Sequence, residues 1–440
     1  MERQPRNGLE WYDRGLDLEP RWTREPSVEA VKRICCQRLS ISDQSTCSVT
    51  FFAAGTFNKL YLVESPTSGK LLMRVSLPVD PGNKTRGEVE TLRFLLAKTK
   101  IPVPKVIAFD DSSNNELGFE WILMELMPGA TAYRRWRKLS MDQKAALVMK
   151  IAEFQAQLFD SGCGFRCIGT LNEPKKRLES VGRADCAPEA MVSRWFFWGD
   201  HFDYDVPRGP FRSSHDWLHA YIDIIVREQT LAMKAAEDED EKQEAEDVLD
   251  TARKLLALLP KIFPSLQNSP ERSFIWHGDL SLQNILVDDG GNITAVIDWE
   301  CVSAVPFWVA TQVPRFFIHG EREEEPQRDQ YGDDDTDAVK TAPEDEGLDN
   351  EGKNPLYWDH LMDYDMTQLR KVFKARMQEL RPNWDEENAE NSLRADFLEA
   401  IMRCGTGFSL GDLDEWVQEV EKGNFVTLRE VINREVVIDE

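Results

Sequence analysis

Residues 274–300 constrain this chain more than any other stretch. Ile285-Leu286-Val287 is an apolar run, Asp288-Asp289-Gly290-Gly291-Asn292 is rich in turn formers, and Ile293-Thr294-Ala295-Val296-Ile297 is apolar again. That order predicts strand, tight turn and strand. A hairpin folds Asp298 back toward Asn284. Asp279 lies on the same stretch, so the three polar side chains are expected to face one cavity. Turn formation accounts for 288–292. It does not account for the joint spacing of His277, Asp279, Asn284 and Asp298.

His277-Gly278-Asp279-Leu280, followed by Asn284, has the spacing of a kinase catalytic loop. Ile297-Asp298-Trp299-Glu300 sits where kinases carry their second metal-binding Asp. Together these segments resemble the aminoglycoside phosphotransferase family, relatives of choline kinases with a protein-kinase-like fold. Gly278 stands in place of the Arg of the protein-kinase HRD triplet, and Trp299-Glu300 in place of the Phe-Gly of DFG. Both departures point to small-molecule kinases. The resemblance covers roughly residues 48–310 and implies transfer of the γ-phosphate of ATP to a hydroxyl of a small molecule, with Mg²⁺. It casts Asp279 as catalytic base, with Asn284 and Asp298 as catalytic residues that ligate the metal. It also implies that Ser281 touches the γ-phosphate and that His277 orients the loop backbone. The residue types suit this chemistry, since Mg²⁺ prefers oxygen ligands and a carboxylate accepts a hydroxyl proton. A kinase-like binding protein with weak transfer is the alternative. A protein kinase is disfavoured by Gly278 and by the lack of an activation loop ending in APE.

The chain has 440 residues, enough for two lobes around large cores. Its net charge of −25 disfavours nucleic acid and anionic membranes, and would not repel a cationic substrate. No apolar run of transmembrane length and no signal-like start occurs, so a cytoplasmic protein is expected. The eight cysteines form no C-x-x-C pair and are expected as free thiols. Cys163 and Cys167 lie about one helical turn apart, with no His near them.

The expected fold class is α+β: a small antiparallel β-sheet lobe at about 40–127 and a larger, mainly helical lobe at about 128–440. Residues 1–26 read as an irregular arm that lays Trp11, Tyr12 and Trp22 on the body, and 27–39 as a helix capped by Ser27. Strands are expected at 48–54, 59–64 and 70–77. The turn Gly55-Thr56-Phe57-Asn58 between the first two occupies the place of a nucleotide loop, whose N–H groups cover phosphates. Arg74, on the third strand, fills the slot where the family usually has Lys; it keeps the charge but differs in shape. Glu88, on a helix over 84–98, is its implied partner, with Glu90 competing. Strands at 105–109 and 119–125 lead into the implied hinge, where Glu125 and Met127 would meet the adenine.

Beyond the hinge the pattern is helical at 140–159, 215–235, 243–262, 356–381, 388–404 and 411–422. Residues 160–214 are irregular and aromatic: Trp195-Phe196-Phe197-Trp198 precedes Asp200, His201, Asp203 and Asp205. A loop pinned by its aromatics and a substrate-selecting loop are both consistent with this. Pro314-Arg315-Phe316-Phe317 reads as packing under the site. Residues 321–353, with 14 acidic and 4 basic residues, read as an unpacked surface insertion.

Overall fold

The structure is a computed structural model that describes residues 5–15, 18–160, 164–173, 186–265, 270–333 and 351–434. The N-terminal arm is not irregular: β1 (Leu9–Asp13) and β2 (Leu18–Trp22) form an antiparallel hairpin. Trp11 and Trp22 lie on the body as expected, whereas Tyr12 is exposed beneath Arg21 of the hairpin itself. Trp11 meets Trp198 with ring centroids 4.7 Å apart, and Trp22 meets Phe119 at 5.0 Å. Helix α1 (Val28–Arg38) starts at Ser27, whose hydroxyl accepts from the Ala30 amide.

The small lobe is a five-stranded antiparallel sheet of β3 (Ser48–Ala54), β4 (Asn58–Ser65), β5 (Gly69–Ser76), β6 (Val106–Asp110) and β7 (Glu120–Glu125), in the order β3-β4-β5-β7-β6. Strand alternation sorts β5 into two faces. Leu71, Met73 and Val75 pack with Tyr61, Val63 and the buried side of α1. Leu72, on the other face, packs toward Val89 of helix α2 (Asn83–Lys98), so Arg74 and Ser76 share the α2 face. Gly82, at φ 79°, precedes α2, and its amide donates to the Glu120 carboxylate at 2.6 Å.

The large lobe begins at β8 (Ala130–Thr131) and the short α3 (Ala132–Arg135). Helix α4 (Met141–Asp160) packs on α9 (Pro355–Leu380). Two short strands, β9 (Leu171–Asn172) and β10 (Ala187–Pro188), and the one-turn α5 (Arg194–Phe197) lead to the antiparallel pair α6 (Ser214–Ala235) and α7 (Glu239–Ile262). Strand β11 (Ser273–Trp276) pairs with β14 (Ser303–Pro306). Between them lie β12 (Ile285–Val287) and β13 (Ile293–Val296), the expected hairpin, with β8 on the far side of β12. After α8 (Phe307–Ala310) come α10 (Trp384–Thr406), α11 (Leu410–Glu421) and α12 (Leu428–Arg434); the last has no counterpart in the sequence reading. These elements share one core, with Trp136, Trp308, Trp384 and Trp416 among its largest buried side chains.

The segment expected to be unpacked is tied down at both described flanks. The Arg322 amide donates to Thr367 Oγ1 at 2.9 Å, Tyr331 Oη lies 2.7 Å from His360 Nδ1, and Lys353 pairs with Asp333 at 2.8 Å. The middle of that insertion, 334–350, lies outside the described residues, as does Cys163. Cys35, Cys36, Cys47, Cys167, Cys186, Cys301 and Cys404 are free thiols. Among the described residues no helix is long and apolar enough to cross a membrane.

Candidate active site

The turn of the β12–β13 hairpin is closed by its own side chain. Asp288 Oδ1 accepts from the amides of Gly290 and Asn292, both at 2.9 Å, and Gly291 takes φ 82°. The ladder continues past the strands, since the Ile297 amide donates to the Asn284 carbonyl at 2.9 Å. Asp298 and Cys301 then take φ 65° and 55°, a left-handed backbone that costs a non-glycine residue energy and here turns the chain sharply beside the cleft. Trp299 inserts beneath: it is 2% exposed, donates from Nε1 to the Val296 carbonyl, and meets the His277 ring edge-on at 4.7 Å. Buried His277 donates from Nε2 to the Ile297 carbonyl at 3.0 Å. It therefore ties the Asp298 corner to the loop that carries Asp279. Burial holds its pKa below the ordinary value, which keeps the ring neutral.

Asp279 and Asn284 are joined within the loop. Asn284 Nδ2 donates to the Asp279 carbonyl at 2.8 Å and lies 3.4 Å from its carboxylate. With the amide nitrogen so used, Asn284 Oδ1 remains as the acceptor end. Ser281 belongs to the same turn: its amide donates to the Asp279 carbonyl and its carbonyl accepts from the Asn284 amide. The Asp279 carboxylate is half exposed, and Arg315 Nη1 sits on its Oδ1. Arg315 is thus not packing. Phe316 and Phe317 are the buried anchors on its C-terminal side, and the Phe316 amide donates to the Leu280 carbonyl at 3.1 Å.

Across the cleft, Arg74 is 7% exposed and ligated by three carboxylates. Nη1 lies 3.2 Å from Glu88; Nη2 lies 2.8 Å from Asp298 and 2.9 Å from Glu300. Glu90, the competing candidate, pairs instead with Arg93 at 2.8 Å. Lys84 reaches Glu300 at 2.6 Å and Asn58 Oδ1 at 2.9 Å, while Asn58 Nδ2 donates to Glu300 at 2.8 Å. Glu300, from the large lobe, thus receives two strands and a helix of the small lobe. Burial acts to raise its pKa, but Lys84 and Arg74 outweigh it and hold the carboxyl at about 2. At Glu88 burial wins over Arg74 and pushes the carboxyl up to about 7. The sequence reading assigned no role to Lys84, Asn58 or Glu300. One signal was available: Lys84 is a cation at a helix N-terminus, against the dipole, which calls for a compensating anion.

The turn after β3 is divided. Gly55 and Thr56 are exposed, and the Gly55 amide donates to the Asn58 carbonyl at 2.9 Å. Phe57, in the turn expected to lie over the nucleotide through its backbone, sends its side chain into the core: it is 6% exposed and buried with Leu77, Val79, Val192, Phe197 and Phe202. Its ring meets Phe197 at 5.4 Å and Trp198 at 6.2 Å. An aromatic side chain beside apolar surface gains more from burial than from a polar cleft. The same packing pins the Trp195–Trp198 segment. It is reinforced by the N-terminal hairpin through Trp11 and through Arg6, which donates to the Gly199 and Phe197 carbonyls. At the hinge, Met127 is half-buried. Exposed Glu125 accepts from the Lys105 amide through its carboxylate, and its own amide donates to the Lys105 carbonyl.

The donor set suits a magnesium ion and a nucleotide phosphate. Asn284 Oδ1 and the Asp298 carboxylate are hard oxygen donors. Arg74 Nε is buried without a hydrogen-bond partner among the described residues, as is Glu88 Oε2. Among the described residues no three His, Cys, Asp or Glu side chains cluster as a metal centre. A two-ligand site completed by water and phosphate is the arrangement magnesium commonly takes.

The model of the phosphotransferase enzyme family matches residues 48–309. A subtelomeric hrmA-associated cluster protein of Aspergillus fumigatus is 26% identical over 307 residues, 61% of this chain and 60% of that protein. The mitochondrial protein "altered inheritance of mitochondria protein 9" of Candida tropicalis is 24% identical over 313 residues, 62% of this chain and 50% of that protein. The chain therefore spans half to three-fifths of the length of these curated relatives. Among solved structures, a streptomycin–ATP–APH(2")-IIa ternary complex is similar over 93% of this chain and 99% of that one, at 11% identity and TM-score 0.46. A choline kinase from Cryptosporidium parvum is similar over 93% and 98%, at 14% identity and TM-score 0.44.

Proposed function

We propose, for a chain that belongs to the phosphotransferase enzyme family, that it is an ATP- and magnesium-dependent kinase acting on a hydroxyl of a small molecule. The observation that carries this reading is the meeting of two lobes on one cleft. Arg74 of the small lobe pairs with both Glu88 and Asp298, beside a loop that joins Asp279 to Asn284. Phosphoryl transfer is mostly positioning and charge neutralisation, and these groups supply both. Arg74, steadied by Glu88, would hold the nucleotide phosphates. The exposed turn residues Gly55 and Thr56 would lie over them, and Ser281 would approach the γ-phosphate. The backbone at Glu125 to Met127 would meet the adenine. Asn284 and Asp298 would hold Mg²⁺, which when bound neutralises phosphate charge. Asp279 orients the acceptor hydroxyl and accepts its proton.

The alternative, a binding protein that transfers weakly, draws support from Arg74, whose two terminal nitrogens are already engaged by three carboxylates. Calorimetry with Mg-ATP on wild type, Arg74→Ala and Arg74→Lys separates the two, read together with ADP formation. A kinase binds Mg-ATP, loses affinity and turnover together in Arg74→Ala, and keeps part of both in Arg74→Lys. No binding by wild type at millimolar Mg-ATP would overturn the kinase reading.

A further inference from the structure

We infer that the acceptor is an anionic alcohol, a hydroxyl compound bearing a carboxylate or phosphate, and that Arg315 is the residue that selects it. The inference rests on the kinase reading above and deepens it. Asp279 is the group to which an acceptor hydroxyl must be presented, yet Arg315 Nη1 occupies its Oδ1. The pair is not a structural staple: the side chains are 61% and 55% exposed, and ion pairs so exposed contribute little to stability. It is therefore readily exchanged.

The backbone under Arg315 is by contrast fixed. Phe316 and Phe317 are 4% and 1% exposed, and the Phe316 amide is bonded to the Leu280 carbonyl, next in sequence to Asp279. When a hydroxyl takes Asp279, the guanidinium is released but stays within side-chain reach. A neutral acceptor leaves it without a partner, and a cationic one is repelled. An acceptor with its own carboxylate or phosphate replaces Asp279 as that partner, and the planar fork of Arg matches both anions. This runs against the overall charge of −25, which by itself would favour a cationic substrate. The local cation decides because it lies at the reacting atom, within the distance over which salt does not screen it.

The step balances simply. The acceptor oxygen bonds to the γ-phosphorus, and the bond from that phosphorus to the β–γ bridging oxygen breaks. The electron pair stays on ADP, and the hydroxyl proton passes to the Asp279 carboxylate.

The test uses the full chain with glycerate, glycerol 3-phosphate, glycerol and choline as probes. Binding is measured by calorimetry with and without a non-hydrolysable ATP analogue, and ADP formation is followed with Mg-ATP. Glycerate or glycerol 3-phosphate is expected to bind and to raise ADP formation above the rate with water. The stronger of the two identifies the anion as carboxylate or phosphate. Arg315→Gln should weaken that probe about tenfold or more, and Arg315→Lys less. Affinity for the ATP analogue on the same samples reports whether the nucleotide site is intact. The inference is overturned if choline or glycerol is preferred, if neither anionic probe binds at millimolar concentration, or if Arg315→Gln binds them as wild type does. It is also overturned if Arg315→Gln weakens the nucleotide by the same factor, since Arg315 would then serve the nucleotide phosphates. Failure of the wild type to bind the ATP analogue, with anion binding intact and lost in Arg315→Gln, would instead overturn the kinase reading and leave the anion site standing.

Discussion

Two clusters of ion pairs face the same cleft and are built to opposite rules. On the small-lobe side, Arg74, Glu88 and Lys84 are buried, and Glu300 of the large lobe reaches in among them with its side chain 14% exposed. On the catalytic-loop side, Asp279 and Arg315 form a single pair open to water. Removing charges from water is costly, and a buried cluster persists only where every member is well partnered. An open pair carries no such cost and no such rigidity. The buried cluster therefore belongs to folding: it sets how the lobes meet and, in the proposed kinase, would hold Arg74 ready for phosphate. In the proposed kinase the open pair would belong to turnover, its partners exchanged with substrate.

The sharpest way to break this contrast is Glu300→Ala. It removes a partner from Lys84, Arg74 and Asn58 at once and is expected to cost about 3–5 kcal/mol. Urea unfolding of variant and wild type measures it. A loss under about 1 kcal/mol would make the buried cluster energetically like the open one.

The pH dependence of stability sharpens the contrast inside the buried cluster. Glu300 is held at about 2, below its ordinary 4.5, so its contribution is present above pH 4.5 and is lost as pH falls toward 2. Glu88 is raised to about 7, so its contribution is present below pH 4.5 and is lost as pH rises toward 7. Each shift corresponds to roughly 3 kcal/mol. Glu300→Gln should flatten the acid limb of a stability–pH profile, and Glu88→Gln the decline between pH 4.5 and 7. Equal profiles for the two variants would contradict the assigned directions.

Asp279→Asn tests the open side. Transfer should fall by about 100-fold, the scale of a positioned base, with Mg-ATP affinity measured by calorimetry near wild type. Wild-type turnover in the folded variant would remove Asp279 from the mechanism. The smallest expected effect is Arg315→Ala on stability, within about 1 kcal/mol of wild type in urea. A loss on the scale of Glu300→Ala would show that Arg315 is part of the framework.

Much of the site was legible because it is local. Asp279 and Asn284 sit on one loop, and the apolar runs and turn residues from Ile285 to Ile297 specify a hairpin that returns the chain to Asp298. Residue alternation along β5 places Arg74 on the face opposite Met73 and Val75, where α2 packs. The acidic run before α7 reads from sequence as a solvated connection ahead of a helix at 243–262; instead it opens the helix, with Asp238 as its cap and Glu239, Asp240 and Glu241 in the first turn, where the helix dipole favours anions. The burial of the Phe57 side chain was not legible, because it answers to Phe197 and Trp198, which sequence proximity does not bring near.

The sequence by itself determined the class of fold, the β12–β13 hairpin and the facing of Arg74, because periodicity and turn chemistry act over a few residues. Only the tertiary structure decided which charges meet. Asn58 and Glu300 are 242 residues apart in the chain, Arg74 and Asp298 are 224 apart, and Arg315 reaches Asp279 across 36. Whether such groups pair depends on how two lobes pack and on what burial costs each charge. Neither quantity is written in the local pattern of residues, and both are fixed once the cores on either side of the cleft have closed.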